Sequence, residues 1–135
     1  MTRIPAALKA GVAYFAVVFA AGFGLGVIRM LVVIPRVGET VAVLIEAPVM
    51  LGISWPVARR LTRWFAVPDA AEARVLMGAV ALALTLATEA GLSILLFGRT
   101  LDQHFASYLI EAGALGLLAQ IGFAATPWLQ RGLPG

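Results

Sequence analysis

The sequence predicts an all-α, polytopic membrane protein, a bundle of four transmembrane helices forming one domain over residues 1–135. Three observations lead there. Hydrophobic residues make up 61% of the chain and charged residues 13%, with a mean hydropathy of +0.97, which leaves too little polar surface to cover a soluble globule of this size. The apolar residues gather into four long stretches that fill nearly the whole chain. Each stretch holds a charge well inside it: Arg29 in the first, then Glu46, Glu89 and Glu111.

The helices are expected over about residues 7–34, 40–58, 72–97 and 103–128. A hydrocarbon core about 30 Å thick takes roughly 20 helical residues, so the first, third and fourth stretches span it and the second needs its Trp55 to Arg60 flank. The basic N-terminus and the small residues after Phe19 resemble a secretory signal. The apolar run is longer than the usual core of about 7–15 residues, so the segment is expected to remain as the first helix. Pro35 and Gly38 are placed to turn the chain into a tight hairpin. Asp69 with Glu72, and Thr100 with Gln103, have capping-box spacing and mark the starts of the third and fourth helices.

Orientation follows from the basic residues. Arg3, Lys9, Arg59, Arg60, Arg63, Arg74 and Arg131 fall on the side of the termini and the middle loop, against Arg36 and Arg99 on the other. The positive-inside rule then puts both termini in the cytoplasm, and the bias excludes dual insertion. Nine arginines to one lysine, with much alanine and glycine, fit a GC-rich bacterial genome and hence a bacterial inner membrane. The basic excess reflects topology and lipid head groups, so the lipid bilayer is the first partner and no nucleic acid is implied. Trp55, Trp64 and Trp128 lie near the same interface and read as an aromatic belt.

Depth is the informative quantity. At about 1.5 Å per residue, Arg29 lies roughly 9 Å in from Pro35, Glu46 roughly 10 Å in from Glu39, Glu89 roughly 12 Å in from Phe97 and Glu111 roughly 10 Å in from His104. All four sit at one level of the outer half. A charge facing lipid costs about 2.5–3.5 kcal/mol even on the lenient insertion scale, so the four are expected to meet inside the bundle as a proton- or ligand-binding cluster. One arginine against three glutamates leaves an excess of carboxylates, and at least one is expected to hold a proton or a cation.

Leu44-Ile45-Glu46-Ala47 recurs as Leu109-Ile110-Glu111-Ala112. If the match is a duplication, the chain is two parallel helical hairpins; chance matches are common in sequence so rich in Ala and Leu. Pro48, two residues after the first glutamate, is expected to kink its helix and free the Leu44 carbonyl beside the cluster. Glycines on the first, third and fourth helices, among them Gly22, Gly78, Gly116 and Gly122, allow close helix contact within the bundle or between protomers.

Other chemistries find no motif. There is no cysteine and one histidine, His104, read as a solvated loop residue, so no metal site, haem or other cofactor is expected. Ser54 and Ser93 lack a base at their depth, so the chain is not expected to be an enzyme. Two functions remain. One is a small transport or binding protein in which Arg29, Glu46, Glu89 and Glu111 handle a proton, a cation or a small cationic ligand. The other is a non-catalytic accessory subunit or assembly factor of a larger membrane complex. Four short helices are expected to enclose little volume, so an organic solute would require a homo-oligomer or a larger partner.

Overall fold

The computed structural model describes residues 3–132, without the side chains of Arg3, Phe97, Glu111 and Ala112. Its regular structure is helical throughout. α1 (Arg3–Ile28) runs through a π-helical turn (Arg29–Val33) into α2 (Ile34–Val37). α3 (Glu39–Trp64), α4 (Ala71–Phe97), α5 (Leu101–Ser107) and α6 (Glu111–Leu129) follow. Three rods, Ile4–Val37, Glu39–Trp64 and Ala71–Leu96, are long and apolar enough to cross a membrane, and Gly113–Leu129 is a shorter apolar helix.

Local chemistry explains the joints. Pro35 has no N–H for the Leu31 carbonyl, and just before it the ladder widens, so that the Ile34 N–H bonds to the Arg29 carbonyl five residues back. Pro35 itself lies inside α2, and Gly38 alone makes the turn with φ of 85° and ψ of 166°, a conformation that only glycine adopts without strain. α3 continues unbroken past Pro48 and Pro56 to Trp64, and the basic run Arg59, Arg60 and Arg63 forms its last turns.

Two expected helix starts behave differently. Thr100 and Gln103 form the reciprocal capping box, but the helix they start is the seven-residue α5. Asp69 and Glu72 do not: α4 begins after Ala70 with no side-chain cap, and the Asp69 carboxylate instead accepts the Gly132 N–H at 2.9 Å.

The fourth helix, expected unbroken over 103–128, is interrupted at Tyr108–Ile110. Ser107 lies with its carbonyl against Gly113, where any Cβ would collide, so the chain folds back on the first turn of α6. This break also removes the structural equivalence of the internal repeat. Leu44 to Ala47 sit inside α3, within its first three turns, whereas Leu109 and Ile110 lie in the break.

Around the bundle, α1 touches α4, α4 touches α6, α6 touches α3 and α3 touches α1. The halves of this ring differ. Near the termini the helices close on Ala7, Ala10, Tyr14, Ala58, Ala73, Met77, Ala81 and Phe123. Gly11 lets the Met77 carbonyl approach to 2.8 Å of where a Cβ would stand, and the Ala124 carbonyl lies directly over Gly78. Across the ring the Tyr14 hydroxyl donates to the Phe123 carbonyl at 2.7 Å, and the two rings stack with centroids 4.3 Å apart. That carbonyl is available because its helical partner would be the N–H of residue 127, which is proline. Arg74, 9% exposed, turns inward rather than flanking the bundle, donating to the carbonyls of Pro127 at 3.1 Å and Pro68 at 3.2 Å. Toward the other end, that of Gly38 and the α4–α5 connection, the helices diverge around a cavity that is partly open to the outside.

Candidate ligand cavity

The cavity has a volume of about 700 Å³ and is walled by α1, α3, α4 and α6 with α5 at its margin. Its wall is largely apolar: Val18, Phe19, Val43, Met50, Leu92 and Phe123 contribute, and Phe123 in turn stacks on Tyr14 of the packed end. An adjoining space of about 200 Å³ shares Arg29, Glu39, Glu89, Tyr108 and Gln120. The volume exceeds the expectation that so small a bundle encloses little. The π-turn in the first rod and the break in the last both border this space, supplying Arg29 and Tyr108 to its lining.

Arg29 reaches the cavity from the π-turn and donates from Nη1 to Glu46 Oε2 of α3 at 2.6 Å. The pair is partly covered, with side-chain exposures of 32% for Arg29 and 15% for Glu46. Glu89 enters from α4. Its Oε2 accepts the Tyr108 hydroxyl at 3.0 Å and its Oε1 accepts the Gln120 amide. Behind Tyr108 stands His104, 6% exposed, with Nε2 3.1 Å from the phenol oxygen and its ring edge-on at 5.1 Å. Tyr108 gives its one proton to Glu89, so the His104 contact requires an Nε2–H donor. The result is a directed chain: His104 Nε2–H to Tyr108 hydroxyl to Glu89 carboxylate.

Among the described residues the inner wall of the cavity carries Arg29, Glu46 and Glu89, and the Arg29 guanidinium is engaged by Glu46. Exposed Glu39 and Arg99 line its rim with opposite charges that offset each other. Among the described residues Glu89 accepts hydrogen bonds from Tyr108 and Gln120 and has no cation in salt-bridge contact, as Glu46 has in Arg29.

Of the residues singled out from sequence, Arg29, Glu46 and Glu89 come together in this cavity. Glu111 begins α6, and its side chain lies outside the described residues. Pro48 is exposed on the outer face of α3 and lines neither space. His104 is buried in the site rather than solvated in a loop. Sequence reading also missed Tyr108 and Gln120. The signals were there: Tyr108 follows His104 by four residues, one helical turn, and Gln120 is an amide in mid-helix, expensive in an apolar stretch unless it has a partner. Among the described residues, no three His, Cys, Asp or Glu gather in a metal-binding group.

No protein-family profile matches the chain, and no curated protein or solved structure matches it significantly. The chemistry of the cavity carries the functional reading.

Proposed function

We propose that this chain is a multi-pass protein of a bacterial inner membrane, with both termini cytoplasmic, that binds and carries a small organic cation in exchange with a proton. The observation that carries the reading is that, among the described residues of the inner wall, the Glu89 carboxylate is left in excess over Arg29 inside a largely apolar cavity of about 700 Å³. Sites for small organic ligands commonly occupy about 300–1,000 Å³ and combine apolar walls with a few placed polar groups. An unbalanced carboxylate in such a medium is neutralised by a proton or by a cation, and the two compete for the same oxygens. The apolar wall favours a cation with hydrophobic substituents over a hydrated metal ion.

The exchange has a route. A proton arriving at His104 moves from Nε2 to the Tyr108 oxygen as the Tyr108 proton moves to Glu89 Oε2, and the reverse shift clears Glu89 for a cation. In the proposed orientation the cavity faces the outer side and the Tyr14–Phe123 contact is the inner barrier. No enzymatic activity is part of this reading.

The accessory-subunit reading is the weaker one. In that reading glycine faces dock a partner; Gly22, Gly78 and Gly122 are taken up within the bundle by Met50, Ala124 and Leu51, which leaves only glycines such as Gly24, Gly91 and Gly116, with open space beside them, for such a contact.

The test is calorimetric titration of the purified, full-length protein with an arylalkylammonium ion, with proton release followed in weak buffer. Wild type is expected to bind one cation and release protons, and Glu89→Gln to lose both at least tenfold while keeping its helical spectrum. Equal binding by Glu89→Gln would remove Glu89 from the site and the reading with it.

A further inference from the structure

Resting on that cation-binding reading, we propose that the cavity discriminates by hydrogen-bond donors: it takes primary or secondary ammonium groups, which carry N–H bonds, in preference to quaternary ammonium ions. Two acceptors in the wall carry the proposal. Ser93 is 6% exposed and lines the cavity, yet its Oγ is buried without a hydrogen-bond partner among the described residues. Gln120 lines it too, with its amide nitrogen spent on Glu89 and its Oε1 likewise buried and unpartnered.

Ser93 stands apart from the other helix hydroxyls. Ser54 bonds back to the Met50 carbonyl at 2.8 Å, Thr85 to Ala81 at 2.8 Å and Thr126 to Gly122 at 2.8 Å, each one turn away. That intrahelical bond is the usual way to satisfy a hydroxyl in an apolar stretch. Ser93 is four residues from Glu89, so both project from the same face of α4 about 6 Å apart along the axis. Gln120 touches Glu89 from α6. The carboxylate thus has an unsatisfied acceptor one turn along its own helix and another on its hydrogen-bonded neighbour.

An ammonium group with two or three N–H bonds can place one on Glu89 and another on Gln120 Oε1 or Ser93 Oγ. A trimethylammonium group matches the charge but presents a shell of methyls, which leaves both acceptors desolvated and unpaired. Sites built to bond a donor reject analogues lacking it more strongly than apolar pockets reject a change of size.

The experiment uses 2-phenylethylammonium and its N,N,N-trimethyl analogue, titrated at pH 7 into the full-length protein in the same micelles. Wild type is expected to bind the primary ion about tenfold or more tighter, Ser93→Ala to narrow that ratio by about threefold or more, and Glu89→Gln to lose both ions. Equal affinity for the two ions, or preference for the trimethyl ion, with both lost in Glu89→Gln, overturns donor recognition while leaving the cation site intact. Undiminished selectivity in a folded Ser93→Ala protein removes Ser93 from the proposal. Failure of both ions to bind wild type overturns the cation reading itself, and this inference with it.

Discussion

Replacing Tyr14 with phenylalanine tests how the bundle is closed beneath the cavity. Tyr14 is 0% exposed, and its hydroxyl donates at 2.7 Å to a carbonyl that Pro127 has deprived of its helical partner. Removing the oxygen keeps the stacked ring but strands the Phe123 carbonyl, a loss of about 1–3 kcal/mol by the cost of an unpaired buried polar group. Measured interhelical hydrogen bonds in membranes average about 0.6 kcal/mol and reach about 1.7, because the reference state also finds partners, so about 1–1.5 kcal/mol is expected. The proline supplies the control. Pro127→Ala restores an N–H that can take the Phe123 carbonyl, and in that background Tyr14→Phe should cost no more than about 0.5 kcal/mol, a coupling of about 0.5–1 kcal/mol. The assay is reversible unfolding in mixed detergent micelles, read by tryptophan fluorescence and helical circular dichroism. If Tyr14→Phe costs the same in both backgrounds, the carbonyl is not an orphan made by Pro127, and the reasoning about this contact fails.

Other outcomes follow from the same geometry. Arg29→Ala leaves Glu46 partly buried and alone and should cost about 1–3 kcal/mol, less than the roughly 3–5 of a fully buried pair because Arg29 is partly exposed; adding Glu46→Gln should recover part of the loss in the same unfolding assay. Gly78→Ala drives a methyl into the Ala124 carbonyl and should destabilise by about 1–3 kcal/mol, whereas the same change at Gly24, which has open space, should be neutral or slightly favourable. Ala66 holds a left-handed φ of 53° at the end of α3, so Ala66→Gly should raise stability by about 1 kcal/mol. Tyr108→Phe cuts the link between His104 and Glu89: cation binding should survive within about tenfold, while stopped-flow proton release on binding should slow.

The apolar rods were legible because hydropathy sums along the chain and needs no knowledge of neighbours. The meeting of Arg29 with Glu46, and of both with Glu89 in one cavity, was legible for a related reason: a fixed rise per residue puts them at one level, and lipid excludes them from the outside. What failed was local structure caused by distant contact. Leu109 and Ile110 carry no breaker, and the nearest glycine, Gly113, permits a fold-back only because the Ser107 carbonyl comes to rest on it. With that break unseen, His104 read as a loop residue and Tyr108 as part of a continuous helix. Pro48, two residues after Glu46, is exposed and lines neither space, and α3 stays helical through it.

The irregular backbone of this short chain is placed beside its cavity. At the terminal end, small residues bring backbones into contact, Gly11 under Met77 and Gly78 under Ala124, and the Arg74 and Gln130 side chains tie the helix ends to carbonyls of neighbouring segments. That half behaves as a clamp. At the other end the π-turn beginning at Arg29 and the break beginning at Tyr108 each border the cavity, and each delivers a polar side chain to it. Irregular backbone within an apolar bundle is tolerated where it borders a cavity rather than lipid. The two irregularities and the charged cluster are then one feature seen from the backbone and from the side chains. Arg29 starts the π-turn and engages Glu46, and Tyr108 starts the break and engages Glu89, so each irregular segment is paired with one of the two carboxylates.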